Sequence, residues 1–367
     1  MKLFFTLLLF SLSVDSKNFS HFVTEEFSFN SEKNEKLNGI ISRPSGGKAQ
    51  SIIIITHSYG PTDVVAGNQF KKFRSEFTSR GISVVVWDKP GCGESEGEFN
   101  INQPVESSAD EISAAIKVLR ETNEPGSDQI GLYGGSRAGW IAPLVINQEG
   151  SNIKFWISIS GTDPYENWDY LIRSSLEIAG YSSSEVDTVV KSLANGNWLF
   201  SSGATYDDYL KASKAYRQDK IVQKISGKTY IDHEAGSKEY EDDKKLYYEN
   251  QKKWVSSGSV FDKEVGLTVV IKDFESMLDS FSIPVLAIFG DKDKNVDWRK
   301  TKALYERTLG SDLTVKVFEN ADHALRLSKT GGFLESQQKE YRKYPQVEGF
   351  YEVMVDWACS KEFCYMP

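Results

Sequence analysis

The order of apolar and polar runs predicts an α/β fold, a mostly parallel sheet with helices on both faces, and three observations carry it. Short apolar blocks recur at Ser51 to Thr56, Val84 to Trp87, Gln129 to Tyr133, Phe155 to Ser160, Val285 to Phe289 and Thr314 to Phe318. Helical segments separate them; in one, Ile112, Ala115, Ile116 and Leu119 follow the i, i+3, i+4, i+7 rule that marks a helix packed on a sheet. Most of the blocks are apolar throughout rather than alternating, as strands covered on both faces are.

The amino terminus is read apart from this core. Met1 and Lys2 precede a short apolar run, Leu3 to Val14, well below the ~20 residues that span a bilayer, so residues 1–16 are expected to be a signal peptide cleaved near Ser16. Export to the periplasm or the medium follows, with no stable membrane insertion. Lys2 and Asp15 cancel, so the mature chain keeps the net charge of −9, which argues against nucleic acid or an anionic membrane surface as a partner.

The 367 residues exceed one compact unit, yet no Pro/Gly/Ser-rich linker or internal repeat divides them. A core of residues 17–160 and 282–367, interrupted by an insertion at 161–281, fits better. The insertion has amphipathic helical runs and is expected to be a mainly helical cap over a pocket. Its charged tract Glu239 to Trp254 reads as a solvated helix face, with Glu241 and Lys245, and Glu249 and Lys253, spaced to pair. Its aromatics, Tyr165, Trp168, Tyr170, Trp198, Phe200, Tyr206, Tyr209 and Tyr216, either form the cap's own core or line the pocket.

Three cysteines occur in an exported chain. Cys92, inside the Gly91-Cys92-Gly93 turn, is expected to be unpaired. Cys359 and Cys364 are close enough to bridge, and so small a loop would contribute on the order of 2 kcal/mol if unstrained; two free thiols are the open alternative.

The chemistry begins at Ile130-Gly131-Leu132-Tyr133-Gly134-Gly135-Ser136-Arg137-Ala138-Gly139-Trp140, where a serine stands between small residues at a strand-to-helix turn. Such a turn forces the serine into a strained backbone conformation and exposes its hydroxyl, so its neighbours Gly134, Ala138 and Gly139 must lack bulk. A phosphate loop would need Gly-Lys-Ser/Thr, and a dinucleotide fingerprint an acidic residue at the end of the next strand; neither is present. Ser136 is the candidate nucleophile.

Two later strands supply its partners. Ile283 to Gly290 empties into Asp291, Asp293 and Asp297, and Thr314 to Phe318 is followed by Glu319-Asn320-Ala321-Asp322-His323. An acid and a histidine thus leave the same carboxyl edge of a parallel sheet, in the order serine, acid, histidine. The acidic run Asp291 to Lys302 is not an EF-hand loop, because Val296 replaces its glycine and Lys302 its final glutamate. His233-Glu234 lacks the second histidine of a zinc protease helix, so no metal or other cofactor is expected.

THSYGPTD from Thr56, DKPGCGESEG from Asp88, YGGSRAGWIAP from Tyr133, and the pair FGDKDKNV and NADHA occur in order at plausible spacing. Through them most of residues 34 to 358 resembles the α/β-hydrolase superfamily, in particular secreted or envelope-associated capped members of its carboxylesterase and serine aminopeptidase branch. The resemblance implies a triad of Ser136, Asp293 and His323, since the family's acid stands three residues after the strand-ending glycine; Asp291, Asp297 and Asp163 are rivals. It also implies an oxyanion hole made by the backbone amides of Arg137 and Tyr59, with Ser58 standing where the family usually has glycine. The implied activity is hydrolysis of a small-molecule carboxylic ester through an acyl-enzyme. A serine peptidase or amidase acting on short peptides, an acyltransferase with the same triad, and a catalytically silent binding protein are the alternatives.

Overall fold

The computed structural model describes residues 22–46 and 48–365, so the signal-peptide expectation for residues 1–16 lies outside the described residues. An eight-stranded sheet runs through the molecule. Its strands are β1 (Phe22–Asn30), β2 (Lys36–Pro44), β3 (Ser51–Ile55), β4 (Ile82–Trp87), β5 (Ile130–Gly135), β6 (Ile153–Ile159), β9 (Val285–Gly290) and β10 (Leu313–Phe318), in the spatial order β1-β2-β4-β3-β5-β6-β9-β10; β7 (Val260–Asp262) and β8 (Leu267–Val269) form a separate hairpin. From β4 to β10 every pairing is parallel.

All six expected strands are present. The hairpin of β1 and β2 is the addition: the two strands pair antiparallel, and β2 pairs antiparallel with β4. Only Phe27 and Phe29 of β1 are buried, because an edge strand is solvated along most of its length. Two inward residues in nine are a weak periodic signal.

Both faces of the sheet are covered. On one, α2 (Val105–Glu121), α3 (Ala138–Glu149) and α11 (Trp298–Leu309) pack with Ile52, Ile54, Leu132, Trp156 and Phe289 into one core. The expected stripe of Ile112, Ala115, Ile116 and Leu119 is buried there. On the other, α1 (Lys71–Thr78) and α13 (Phe350–Ser360) cover Ile53, Ile55, Val84 and Ile157. A strand sandwiched in this way has no polar face to show, which is why residues 52–55, 84–87 and 285–289 of β3, β4 and β9 read as unbroken apolar runs. Cys359, in the last turn of α13, forms a disulfide with Cys364 beyond it, and Cys92 is a buried free thiol.

Between β6 and β9 the chain leaves the sheet. It forms α4 (Trp168–Ile178), α5 (Ser183–Ser201), α6 (Tyr206–Ala212), α7 (Lys214–Gln218), α8 (Lys220–Ser226) and α9 (Lys238–Ser256), then the short hairpin β7 (Val260–Asp262) and β8 (Leu267–Val269), and α10 (Phe274–Asp279). Ser182, Thr205, Asp219 and Ser237 each accept a backbone N–H at the start of α5, α6, α8 and α9, so polar caps divide this stretch into its helices. Ile172, Leu176, Val186, Leu193 and Val222 give the insertion a core of its own. Its last part behaves differently: Ile271, Phe274 and Leu278 pack into the core beneath the sheet.

Helix α9 is less solvated than its charge predicts. Tyr240, Tyr247 and Gln251 are buried along one stripe, where Gln251 donates to the Phe200 carbonyl at 2.9 Å. The ion pairs differ too: Lys238 meets Asp242 and Lys244 approaches Glu241, while the expected pairs of Glu241 with Lys245 and Glu249 with Lys253 are not among the described contacts. Exposed pairs of this kind stabilise a helix by only about 0.2–0.5 kcal/mol, too little for spacing alone to select the partner.

Candidate active site

Ser136 lies between the end of β5 and the start of α3, with a left-handed φ of 55°. Its N–H donates to the Ile159 carbonyl at 2.9 Å and its own carbonyl accepts from Gly139 N–H at 2.7 Å, so the turn is held from both strand and helix. The demand for small neighbours is steric. A Cβ on Gly134 would stand 2.4 Å from the Ala138 Cβ, and one on Gly139 would stand 2.8 Å from the Thr162 nitrogen.

Strands β9 and β10 pair in parallel with Gly290 opposite Phe318, so the loops that follow them leave the sheet side by side. Asp293, in the first loop, is 1% exposed. Its Oδ1 accepts the N–H groups of Asn295 and Val296 at 2.8 and 3.0 Å, and its Oδ2 lies 2.7 Å from His323 Nδ1 in the second loop. Burial alone would lower the His323 pKa, but the charge and hydrogen bond of Asp293 outweigh it and the net shift is upward.

None of the rival acids meets His323 among the described contacts. Asp163 binds Lys300 at 2.7 Å, and Asp297 caps α11 by accepting from Arg299 and Lys300 N–H. Asp291 offers its backbone carbonyl to Trp298, while its Oδ1 has no hydrogen-bond partner among the described residues. The histidines separate as cleanly. His233 approaches Asp243 in the insertion, at 3.8 Å, and His57 is packed edge-on against Trp87, where burial and the nearby Lys89 charge pull its pKa down to about 3. His21 lies outside the described residues.

Ser136 and His323 open onto one cavity of about 1270 Å³. Among the described hydrogen bonds none joins their side chains; such contacts are often loose without substrate. Ser58, Tyr59 and Gly60 form part of the same wall, and the backbone N–H groups of Tyr59 and Arg137 donate to no acceptor among the described residues. The Arg137 guanidinium instead reaches back to the Gln103 carbonyl at 2.6 Å and Ser108 Oγ at 3.1 Å. What Arg137 can offer a substrate at Ser136 is thus its main-chain donor.

Phe73, Trp140, Ile159, Leu171 and Phe350 make the cavity largely apolar, and Glu166 brings one carboxylate to its wall. Of the insertion's eight predicted aromatics only Trp168 lines it. Phe200, Tyr206 and Tyr209 gather with Tyr240 and Tyr247 in a separate aromatic cluster, and Tyr216 is buried in the insertion's core.

Several residues support the site in roles that no sequence signal announces. Ser160, at φ 47°, donates from Oγ to the His323 carbonyl at 2.9 Å, and Tyr170 of α4 donates to the Asp293 carbonyl at 3.2 Å. Glu335, in the turn of helix α12 (Phe333–Ser336), accepts from Ser328, Thr330 Oγ1 and the N–H groups of Lys329 and Thr330. Burial would raise its pKa, but these bonds outweigh it and hold the carboxyl at about 2. Each is an isolated polar residue whose partner lies in a loop, where no periodicity exists to be read.

A mostly parallel sheet between two helical layers, with a strained serine turn after its fifth strand, defines an α/β-hydrolase. The chain matches the family model described as "Serine aminopeptidase, S33" over residues 47–329, and it belongs to that family. No curated protein matches it. Among solved structures, an esterase of Pyrococcus furiosus is similar at 15% identity and a TM-score of 0.51, over 92% of this chain and 91% of that one. An acylaminoacyl peptidase of Pyrococcus horikoshii is similar at 13% identity and a TM-score of 0.50, over 95% of this chain and 43% of that one. At these identities the likeness is one of fold.

Proposed function

We propose that the protein is a serine hydrolase that cleaves carboxylic esters, with Ser136, His323 and Asp293 as its triad and the insertion as a cap. The observation that carries this reading is the 2.7 Å pair of His323 and Asp293 facing the cavity that also receives Ser136. Ser136 Oγ attacks the ester carbonyl carbon and its proton passes to His323 Nε2. Asp293 holds the imidazole through Nδ1 and stabilises the imidazolium, and the amides of Tyr59 and Arg137 hold the oxyanion. Collapse breaks the bond to the alcohol oxygen, which leaves with the proton from His323. Water then repeats the sequence on the acyl-enzyme, releasing the acid and restoring Ser136.

An ester is preferred because the cavity wall is mainly apolar and its volume suits an acyl chain. Glu166 favours a second reading, hydrolysis of short peptides, since a carboxylate on the wall complements a free amino terminus. Residues 1–16 are proposed as an export signal, and a disulfide between Cys359 and Cys364 suits an oxidising compartment. The test is labelling of Ser136 by a fluorophosphonate, followed by rates on matched ester, amide and aminoacyl substrates with and without added alcohols or amines. No labelling rejects the hydrolase, faster aminoacyl cleavage selects the peptidase, and products formed on the added acceptors identify an acyltransferase.

A further inference from the structure

If Ser136 is the nucleophile, the loop after β3 must aim a backbone N–H at the reacting carbonyl, yet Ser58 stands where its relatives carry glycine. The group that orients this loop lies behind it. Lys89, just past the end of β4, is 7% exposed, and its ammonium donates to the Gly60 carbonyl at 2.7 Å and to the Ser58 carbonyl. These are the carbonyls on either side of Tyr59.

A trans peptide unit points its C=O and N–H in opposite directions, and no cis peptide occurs among the described residues. With the Ser58 oxygen drawn onto Lys89, the Tyr59 N–H is turned to the other side of the loop. That side is the cavity: Ser58, Tyr59 and Gly60 line it together with Ser136, whereas Lys89 lines a small recess behind, with His57, Trp87 and Glu111. The main chain of Lys89 is itself anchored, its N–H donating to Thr62 Oγ1 at 2.7 Å. Gly60, at a φ of 89°, supplies the left-handed step that lets both carbonyls turn the same way.

We propose that Lys89 is a positioning residue for the oxyanion hole, its ammonium clamping the two carbonyls that flank Tyr59 so that the Tyr59 N–H stays aimed at the developing oxyanion. This rests on the reading of Ser136 as nucleophile, and the test separates the two. Wild-type protein and Lys89→Met are compared for kcat and KM on a p-nitrophenyl ester and for affinity towards a boronic acid that forms a tetrahedral adduct on the serine. Loss of one oxyanion donor costs about 10²–10³-fold in kcat, so Lys89→Met is expected to lose that much with KM little changed, and to bind the boronic acid correspondingly less tightly. Lys89→Arg, which keeps two donors, recovers most of the rate. Wild-type kcat in Lys89→Met, or a rise in KM with boronic acid affinity intact, overturns the clamp alone. Should Lys89→Met not fold, Lys89→Ala, which likewise removes the donor, is read by the same criteria. A wild-type protein inert to fluorophosphonate overturns the nucleophile, and the clamp with it.

Discussion

His323 Nδ1 and Asp293 Oδ2 lie 2.7 Å apart, with the aspartate side chain wholly buried and the imidazole partly open to the cavity. The arrangement sets a pH dependence. In the proposed mechanism His323 must be neutral to take a proton, and its folded pKa lies above 6.5, so kcat/KM is expected to rise as pH climbs through that raised value. The charged pair also stabilises the fold: the contribution is complete below 6.5 and fades as pH rises through the folded pKa. Asp293→Asn removes the charge that raises the pKa and leaves the burial that lowers it. The activity limb should move to lower pH and turnover should fall about 10⁴-fold, measured by initial rates across pH. Asp291→Asn is expected to be mild, and the reverse order would reassign the acid.

Ser136 sits at φ 55°, a conformation costly for any residue with a Cβ. Ser136→Ala keeps that cost and removes the proposed nucleophile, so turnover should drop about 10⁶-fold with little change in thermal midpoint. Ser136→Gly loses the nucleophile and relieves the strain, and should melt higher than Ser136→Ala by roughly 1 kcal/mol of stability. Calorimetry of the two variants checks the strain; retained activity in either rejects the nucleophile.

Glu335 ties residues 328–330 to α12, while Phe333 and Leu334 pack on the core of the insertion. Glu335→Gln leaves donors facing an amide, and a loss of about 1–3 kcal/mol is expected near neutral pH. Because the carboxyl is held at about 2, its contribution is present above the ordinary value of 4.5 and disappears as pH falls towards 2. Denaturant melts of both proteins should therefore converge in acid, and a gap that persists at pH 2 would assign the stability elsewhere.

Trp168 lines the cavity from α4 and donates its indole N–H to Tyr216 Oη at 2.7 Å. Trp168→Phe loses that bond but keeps most of the apolar wall, whereas Trp168→Ala opens the wall. On the proposed ester activity, Trp168→Ala should raise KM for long acyl esters by about tenfold while changing acetyl ester hydrolysis little, as one lost apolar contact of 1–3 kcal/mol implies. Equal losses on both esters would make Trp168 a folding residue only.

Legibility in the sequence followed the range of the forces involved. The serine turn could be read because its requirement is local: a left-handed residue and glycines whose missing Cβ atoms avoid contacts at 2.4 and 2.8 Å. Strands β3, β4 and β9 could be read because burial on both faces leaves an apolar run, unbroken over residues 52–55, 84–87 and 285–289. The β1–β2 hairpin escaped because an edge strand buries too little to show a period, and the pairs along α9 were misassigned because weak exposed ions follow packing rather than spacing.

By itself the sequence determined the α/β class, the serine turn and the order in which an acid and a histidine leave neighbouring strands, all set by residues close together along the chain. Tertiary structure decided that Asp293 rather than Asp163, Asp291 or Asp297 meets His323, that Trp168 alone of the predicted aromatics lines the cavity, and that Lys89 grips the loop bearing Tyr59. Those choices depend on which distant segments pack side by side, and a hydrogen bond between them leaves no period or spacing in either one.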